Sequence, residues 1–152
     1  MSADLGINDL VAKFKKKNPE YDISPQQLSA PVPQNGPLYA EDDYVVILDD
    51  SSFIGRKIKS KNFQGPGILK AYAPWCPHCR NKATAIRLLA EILDDAEAES
   101  AVYVLNVTDN VYISKTLEVV ALPTFFEVDK NGVIKGPLEN ITSIDDLRKY
   151  LH

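Results

Sequence analysis

The sequence predicts an α/β domain, a central mixed β-sheet flanked by helices, with a helical and proline-rich N-terminal extension. Three observations lead there. From residue 44 onward, strand-like and helix-like periodicities alternate and then give way to a hairpin. Before that point Pro19, Pro25, Pro31, Pro33 and Pro37 crowd one segment, where each fixes its own φ and removes a backbone donor, so regular structure cannot continue. The 152 residues, 45% hydrophobic and 25% charged, suffice for one core and an appended segment.

The extension, residues 1–40, opens on a short amphipathic helix over 4–17. Ile7, Leu10, Val11 and Phe14 recur at helical spacing, and Lys15, Lys16 and Lys17 suit the negative end of its dipole. The proline-rich stretch that follows reads as a linker or a strap. The domain is assigned to residues 41–152. Residues 44–48 form its first strand. Residues 51–60 are expected to be helical, with Ser51 or Ser52 as N-cap and Phe53, Ile54 and Ile58 facing inward. Gly65-Pro66-Gly67 is a turn, and 68–73 a short apolar strand. A long helix over 77–98 would be buried through Ala83, Ile86, Leu89, Ala90 and Leu93. Residues 101–107 are apolar throughout, as at a sheet centre, and 110–119 form a helix. Strands 124–128 and 133–135 pair about Asp129-Lys130-Asn131-Gly132, with Asn-Gly as the turn signal. A closing helix over 143–151 has Ser143 as N-cap and Asp145 and Asp146 in its first turn.

Charge and composition exclude several functions. A net charge of −4 does not suit nucleic-acid binding. No apolar run approaches the roughly 20 residues of a membrane span. Asp4 and Asp9 interrupt the N-terminus where a signal peptide would be apolar, so an intracellular, cytoplasmic protein without membrane contact is expected.

The two cysteines stand three apart in Trp75-Cys76-Pro77-His78-Cys79. A pair cannot staple a scaffold, and His78 with His152 would complete only a poor zinc tetrahedron; no metal is expected. Reversible oxidation remains. Cys76 falls where a strand ends and the long helix begins, at the positive end of the helix dipole and near unpaired N–H groups. Such sites commonly lower a thiol from about 8.5 to roughly 3.5–7.5, and the thiolate is the attacking species. Cys76 is therefore the expected nucleophile and the more exposed sulfur. Cys79, one turn further in, would attack the mixed disulfide and release the substrate. Pro77 suits the first helical turn, and His78 can hold a positive charge beside the thiolate or donate a hydrogen bond to it.

The run Ala71-Tyr72-Ala73-Pro74-Trp75-Cys76-Pro77-His78-Cys79 closely resembles the active-site strand and turn of thioredoxins and protein disulfide isomerase domains. Ala121-Leu122-Pro123-Thr124 resembles their cis-proline segment, and the likeness spans about residues 44–152. The flank Tyr-Ala-Pro-Trp-Cys is most similar to the isomerases, and the Pro-His dipeptide to bacterial periplasmic thiol oxidases. The resemblance implies a thioredoxin fold, Cys76 as nucleophile and Cys79 as resolving cysteine. It also implies a cis Pro123 packed on the disulfide, a Leu122 backbone that pairs with an extended substrate, and a Trp75 that offers apolar surface to unfolded chains. Three positions depart from the family. Lys70 stands where a buried Asp or Glu accepts the proton of the second cysteine; it would stabilise thiolates if charged, act as a base if neutral, or reach solvent. Thr84 replaces a helix-kinking proline, and Ala121 a common glycine.

These readings predict a monomeric thiol–disulfide oxidoreductase, leaning towards oxidase or isomerase, that acts on cysteine-containing proteins. Its redox group is the Cys76–Cys79 disulfide itself, with no other cofactor. A reductase, an oxidase or glutathione would recycle it. The alternatives are a thioredoxin-like reductase and, in another class, a redox-silent interaction module using the extension.

Overall fold

Alternating side chains along a single strand organise the domain. In β4 (Gly67–Tyr72) all six residues are buried, because the strand is paired on both edges and covered on both faces. It runs parallel to β5 (Ala101–Asn106), from Gly67 opposite Ala101 to Tyr72 opposite Asn106, and antiparallel to β6 (Thr124–Val128). β1 (Val46–Leu48) lies parallel to β5, and β7 (Ile134–Lys135) antiparallel to β6. The five-stranded mixed sheet thus has the order β1-β5-β4-β6-β7. The computed structural model describes residue 39, residues 44–141, and residues 146, 147, 150 and 151. The expected helix over 4–17, the proline-rich stretch before Tyr39, and Ser143 and Asp145 of the closing helix lie outside the described residues.

The pleat sends Ile68 and Tyr72 to one face and Leu69 and Ala71 to the other. On the first face they join Ala83, Ile86, Leu89 and Leu93 of α1 (Pro77–Asp95), together with Val102, Val104, Leu147 and Leu151. On the second they meet Leu48, Tyr103, Leu105 and Phe126, with Ile113 of α2 (Val111–Thr116) and Leu117 just beyond it. Each fully buried Val, Leu, Ile or Phe among them contributes about 1.5–3 kcal/mol of transfer free energy. Gly67 is required where β4 meets β5, since a Cβ there would lie 1.9 Å from the Ala101 carbonyl oxygen.

Two expectations are corrected. Residues 51–60 are not a helix. The Asp49 carboxylate accepts from Ser51 N and caps a 3-10 turn (Asp50–Ser52), after which β2 (Phe53–Ile54) and β3 (Lys57–Ile58) pair as a hairpin. Gly55, at φ +59, makes the tight loop. Phe53 and Ile58 do face inward, but Ile54 is 70% exposed. Second, α1 ends at Asp95 rather than Ala98. Glu97 takes a left-handed conformation (φ 53), Glu97 N donates to Asp94 O, and Ala98 N donates back to Leu93 O, which is a Schellman termination. α2 ends the same way at Glu118 (φ 58), with Glu118 N to Lys115 O and Val119 N to Ser114 O. The β6–β7 hairpin forms about Asp129-Lys130-Asn131-Gly132 as expected: the Asp129 carboxylate accepts from Asn131 N and Val133 N, and Gly132 is its left-handed residue.

Candidate active site

β4 delivers the chain to the start of α1 through Ala73, Pro74 and Trp75. Cys76 N donates to the Ala73 carbonyl at 3.1 Å, which sets the turn, and Cys76 itself is the N-cap of the helix (φ −78, ψ 118). Its Sγ accepts a hydrogen bond from Cys79 N at 3.3 Å. The sulfur therefore occupies the place a Ser or Asp oxygen takes at other helices, where a free amide and the helix dipole both suit negative charge. Both cysteines are free thiols. Cys76 is the more exposed of the two, as expected, but only slightly: 5% against 0%.

Burial pushes the Cys79 thiol up to about 12, and its hydrogen bond with Cys76 and the charge on Cys76 push the same way; the Ala73 backbone and the Lys70 charge act against them. A proton leaves Cys79 reluctantly, so whatever favours its thiolate governs any step in which that sulfur attacks or departs.

Lys70 does not reach solvent. It is fully buried, because the pleat of β4 places it on the same face as Ile68 and Tyr72, towards the cysteines. Its Nζ donates to the Cys79 carbonyl at 3.0 Å and to the Tyr39 hydroxyl at 2.7 Å. It lies 5.2 Å from the Tyr39 ring centroid and 5.9 Å from that of Tyr72, and the two rings meet edge to face at 5.1 Å. The Tyr72 hydroxyl is itself pushed up to about 12, mainly by burial. Tyr39 is the site residue the sequence reading missed. The signal for it was indirect: an inward lysine in a six-residue buried strand needs an acceptor from elsewhere.

The other expected residues are placed as follows. Trp75 is 67% exposed, and its indole N–H donates to Thr108 Oγ1 at 3.1 Å, so it is surface rather than core. The Leu122–Pro123 bond is cis, and Leu122 packs against the cluster that contains both cysteines. Thr124 Oγ1 donates to the Ala121 carbonyl across this proline, and Val120 beside it is 95% exposed. Pro77 is the first residue of α1; its side chain and those of His78 and Thr84 lie outside those described. Among the described residues, no three His, Cys, Asp or Glu side chains gather as a metal site, and no helix is long and apolar enough to cross a membrane.

A mixed sheet whose central strand runs into a Cys-x-x-Cys helix, with a cis-proline opening the next strand, defines the class: a thioredoxin-fold domain with a dithiol at its helix N-terminus. The sequence model described as Thioredoxin matches residues 45–152, and the chain belongs to the thioredoxin family. A protein disulfide-isomerase of Datisca glomerata is 30% identical over 126 residues, 82% of this chain and 23% of the relative. Protein disulfide-isomerase 1 of Caenorhabditis elegans is 26% identical, covering 75% and 23%. The thiol-disulfide oxidoreductase ResA of Bacillus thuringiensis is 27% identical, covering 64% and 68%. The chain thus spans about a quarter of the length of the isomerases it matches. Among solved structures, the first thioredoxin domain of mouse protein disulfide-isomerase A4 superposes with a TM-score of 0.52 at 23% identity, covering 73% of this chain and 72% of that one. ERdj5 superposes at 0.54 and 17% identity, covering 72% and 13%. Both show the shared fold.

Proposed function

We propose that this chain exchanges disulfides with cysteine-containing proteins through Cys76 and Cys79, and that it runs in the oxidising or isomerising direction. The observation that carries this reading is the Cys76 sulfur seated as the N-cap of α1 with Cys79 buried one turn on. In the oxidising direction a substrate thiolate attacks Cys76 Sγ of the Cys76–Cys79 disulfide. A substrate–Cys76 bond forms, the Cys76–Cys79 bond breaks, and Cys79 leaves with the electron pair. A second substrate thiolate then attacks the substrate sulfur and releases Cys76. The substrate loses two electrons, the pair gains them, and a separate oxidant of the disulfide or glutathione class restores it. No group beyond the two cysteines carries electrons.

The direction is supported by a cation, not a carboxylate, at the second cysteine. Positive charge near the pair favours the thiolate-bearing reduced form and makes the disulfide a stronger oxidant. Trp75 and Val120 would meet apolar parts of an unfolded substrate, the Leu122 backbone would pair with its extended chain, and His78 would tune Cys76.

Equilibration of the purified protein in glutathione buffers tests this reading. A potential above about −200 mV is expected, with Cys76→Ser abolishing exchange. A value near −270 mV would mark a thioredoxin-like reductase. A pair that does not cycle would leave an interaction module.

A further inference from the structure

We propose that Tyr39 and Lys70 form a positioning device for the second cysteine: Tyr39, which enters from the segment preceding the domain, holds the Lys70 ammonium against the first turn of α1, where its charge stabilises the Cys79 thiolate. The inference rests on the exchange chemistry proposed above.

The surroundings of Nζ are complementary to a cation. Two oxygens accept from it, the Tyr39 hydroxyl at 2.7 Å and the Cys79 carbonyl at 3.0 Å, and two aromatic rings stand within 6 Å. A buried ammonium without such partners would be costly. Tyr39 lies outside the residues 45–152 matched by the family, yet it is only 4% exposed and packs in the same cluster as Cys76, Cys79 and Leu122. Its ring fixes its hydroxyl by lying edge-on to Tyr72, and the hydroxyl fixes Lys70. Tyr39 thereby reaches the redox pair through two hydrogen bonds.

The consequence for the reaction is specific to one sulfur. Cys79 is a thiolate only transiently: as leaving group when a substrate opens the disulfide, and as attacking group when the mixed disulfide is resolved. In the resolving direction Cys79 gives up its proton to solvent and its Sγ attacks Cys76 Sγ. The Cys76–Cys79 bond forms, the bond from Cys76 to the substrate sulfur breaks, and that sulfur departs with the electron pair. A cation beside Cys79 accelerates both directions of this step and leaves the first attack by Cys76 nearly untouched.

Stopped-flow reaction of the reduced protein with excess 5,5′-dithiobis(2-nitrobenzoate) separates the two events. Attack by Cys76 releases the first thionitrobenzoate, and resolution by Cys79 releases the second. Loss of one hydrogen bond to a charged group, or of the charge itself, predicts a second release slower by about fivefold in Tyr39→Phe and about tenfold in Lys70→Met, with the first within twofold. The unchanged first phase distinguishes this from general damage to the site. Should Lys70→Met fail to fold, Tyr39→Phe, which removes a single oxygen, decides alone. A second release as fast in Tyr39→Phe as in the parent protein overturns the device while leaving the exchange reading intact. A parent protein that never releases the second equivalent overturns both.

Discussion

Trp75 keeps two thirds of its surface in solvent although its indole is anchored to Thr108. An exposed side chain adds little to stability, and its removal falls within about 0.5 kcal/mol. Trp75→Ala is therefore expected to leave the denaturation midpoint nearly unchanged and to slow exchange with an unfolded protein substrate, while exchange with glutathione stays close to the parent rate. Equal slowing with both would show that Trp75 supports the cysteines rather than the substrate. The pair itself was legible at this scale, because three-residue spacing at a strand-to-helix junction has few other uses. Lys70 was legible as an oddity and not as a contact. Its burial follows from the pleat of β4, but its acceptor, Tyr39, stands thirty-one residues earlier in the chain, and no local pattern links the two.

The ends of the helices illustrate what local sequence leaves open. Both α1 and α2 stop at a glutamate in the left-handed region, Glu97 and Glu118, where glycine is the usual residue. Without that glycine, helical periodicity reads on to residues 98 and 119. A left-handed conformation costs an L-residue roughly 1–2 kcal/mol, part of which a glycine returns as entropy of the unfolded chain. Glu97→Gly and Glu118→Gly are accordingly expected to stabilise by about 0.5–1 kcal/mol each, measured by urea unfolding, and additively because the two ends are separate. A loss of stability at either would mean that the glutamate side chain makes a contact worth more than the strain. At the hairpin of β2 and β3 the error ran the other way. Ser51 and Ser52 suggested a helix start, but Asp49 closes a 3-10 turn on them and Gly55 reverses the chain within two residues of Phe53. A Gly-X pair between short apolar runs was the signal available.

For the whole molecule, three protonated groups tie stability to alkaline pH in one direction. Burial raises Cys79 from 9.0, and Tyr72 and Tyr103 from 10.0, each to about 12. Tyr103 is held on the second face of the sheet by donating to the Gly65 carbonyl and accepting from Gln64 N. Between the unfolded and folded values the native state retains protons that the unfolded chain has lost. Their contribution is thus complete below about pH 9 and falls away as pH rises towards 12. The reduced protein is expected to lose denaturant resistance steadily from pH 9 to 11. The oxidised protein should lose less, because its Cys79 carries no proton. Parallel losses in the two forms would show that the tyrosines alone are responsible. At the acid end Asp49 and Asp129 act oppositely: their hydrogen bonds hold them below the usual carboxylate value, so their support is present above it and is lost as pH falls through their folded values.

From the sequence alone follow the alternation of strands and helices, the central position of β5 and the cysteine pair at a helix start. Each depends on periodicity, spacing or turn chemistry among near neighbours, which the chain carries wherever it lies. Only the tertiary structure decided that Lys70 is sealed from solvent, that Tyr39 is its acceptor, and where both helices stop. Those outcomes depend on which distant side chains arrive at the same place, and on the dielectric surroundings they create together. Neither has a signature in the order of the residues.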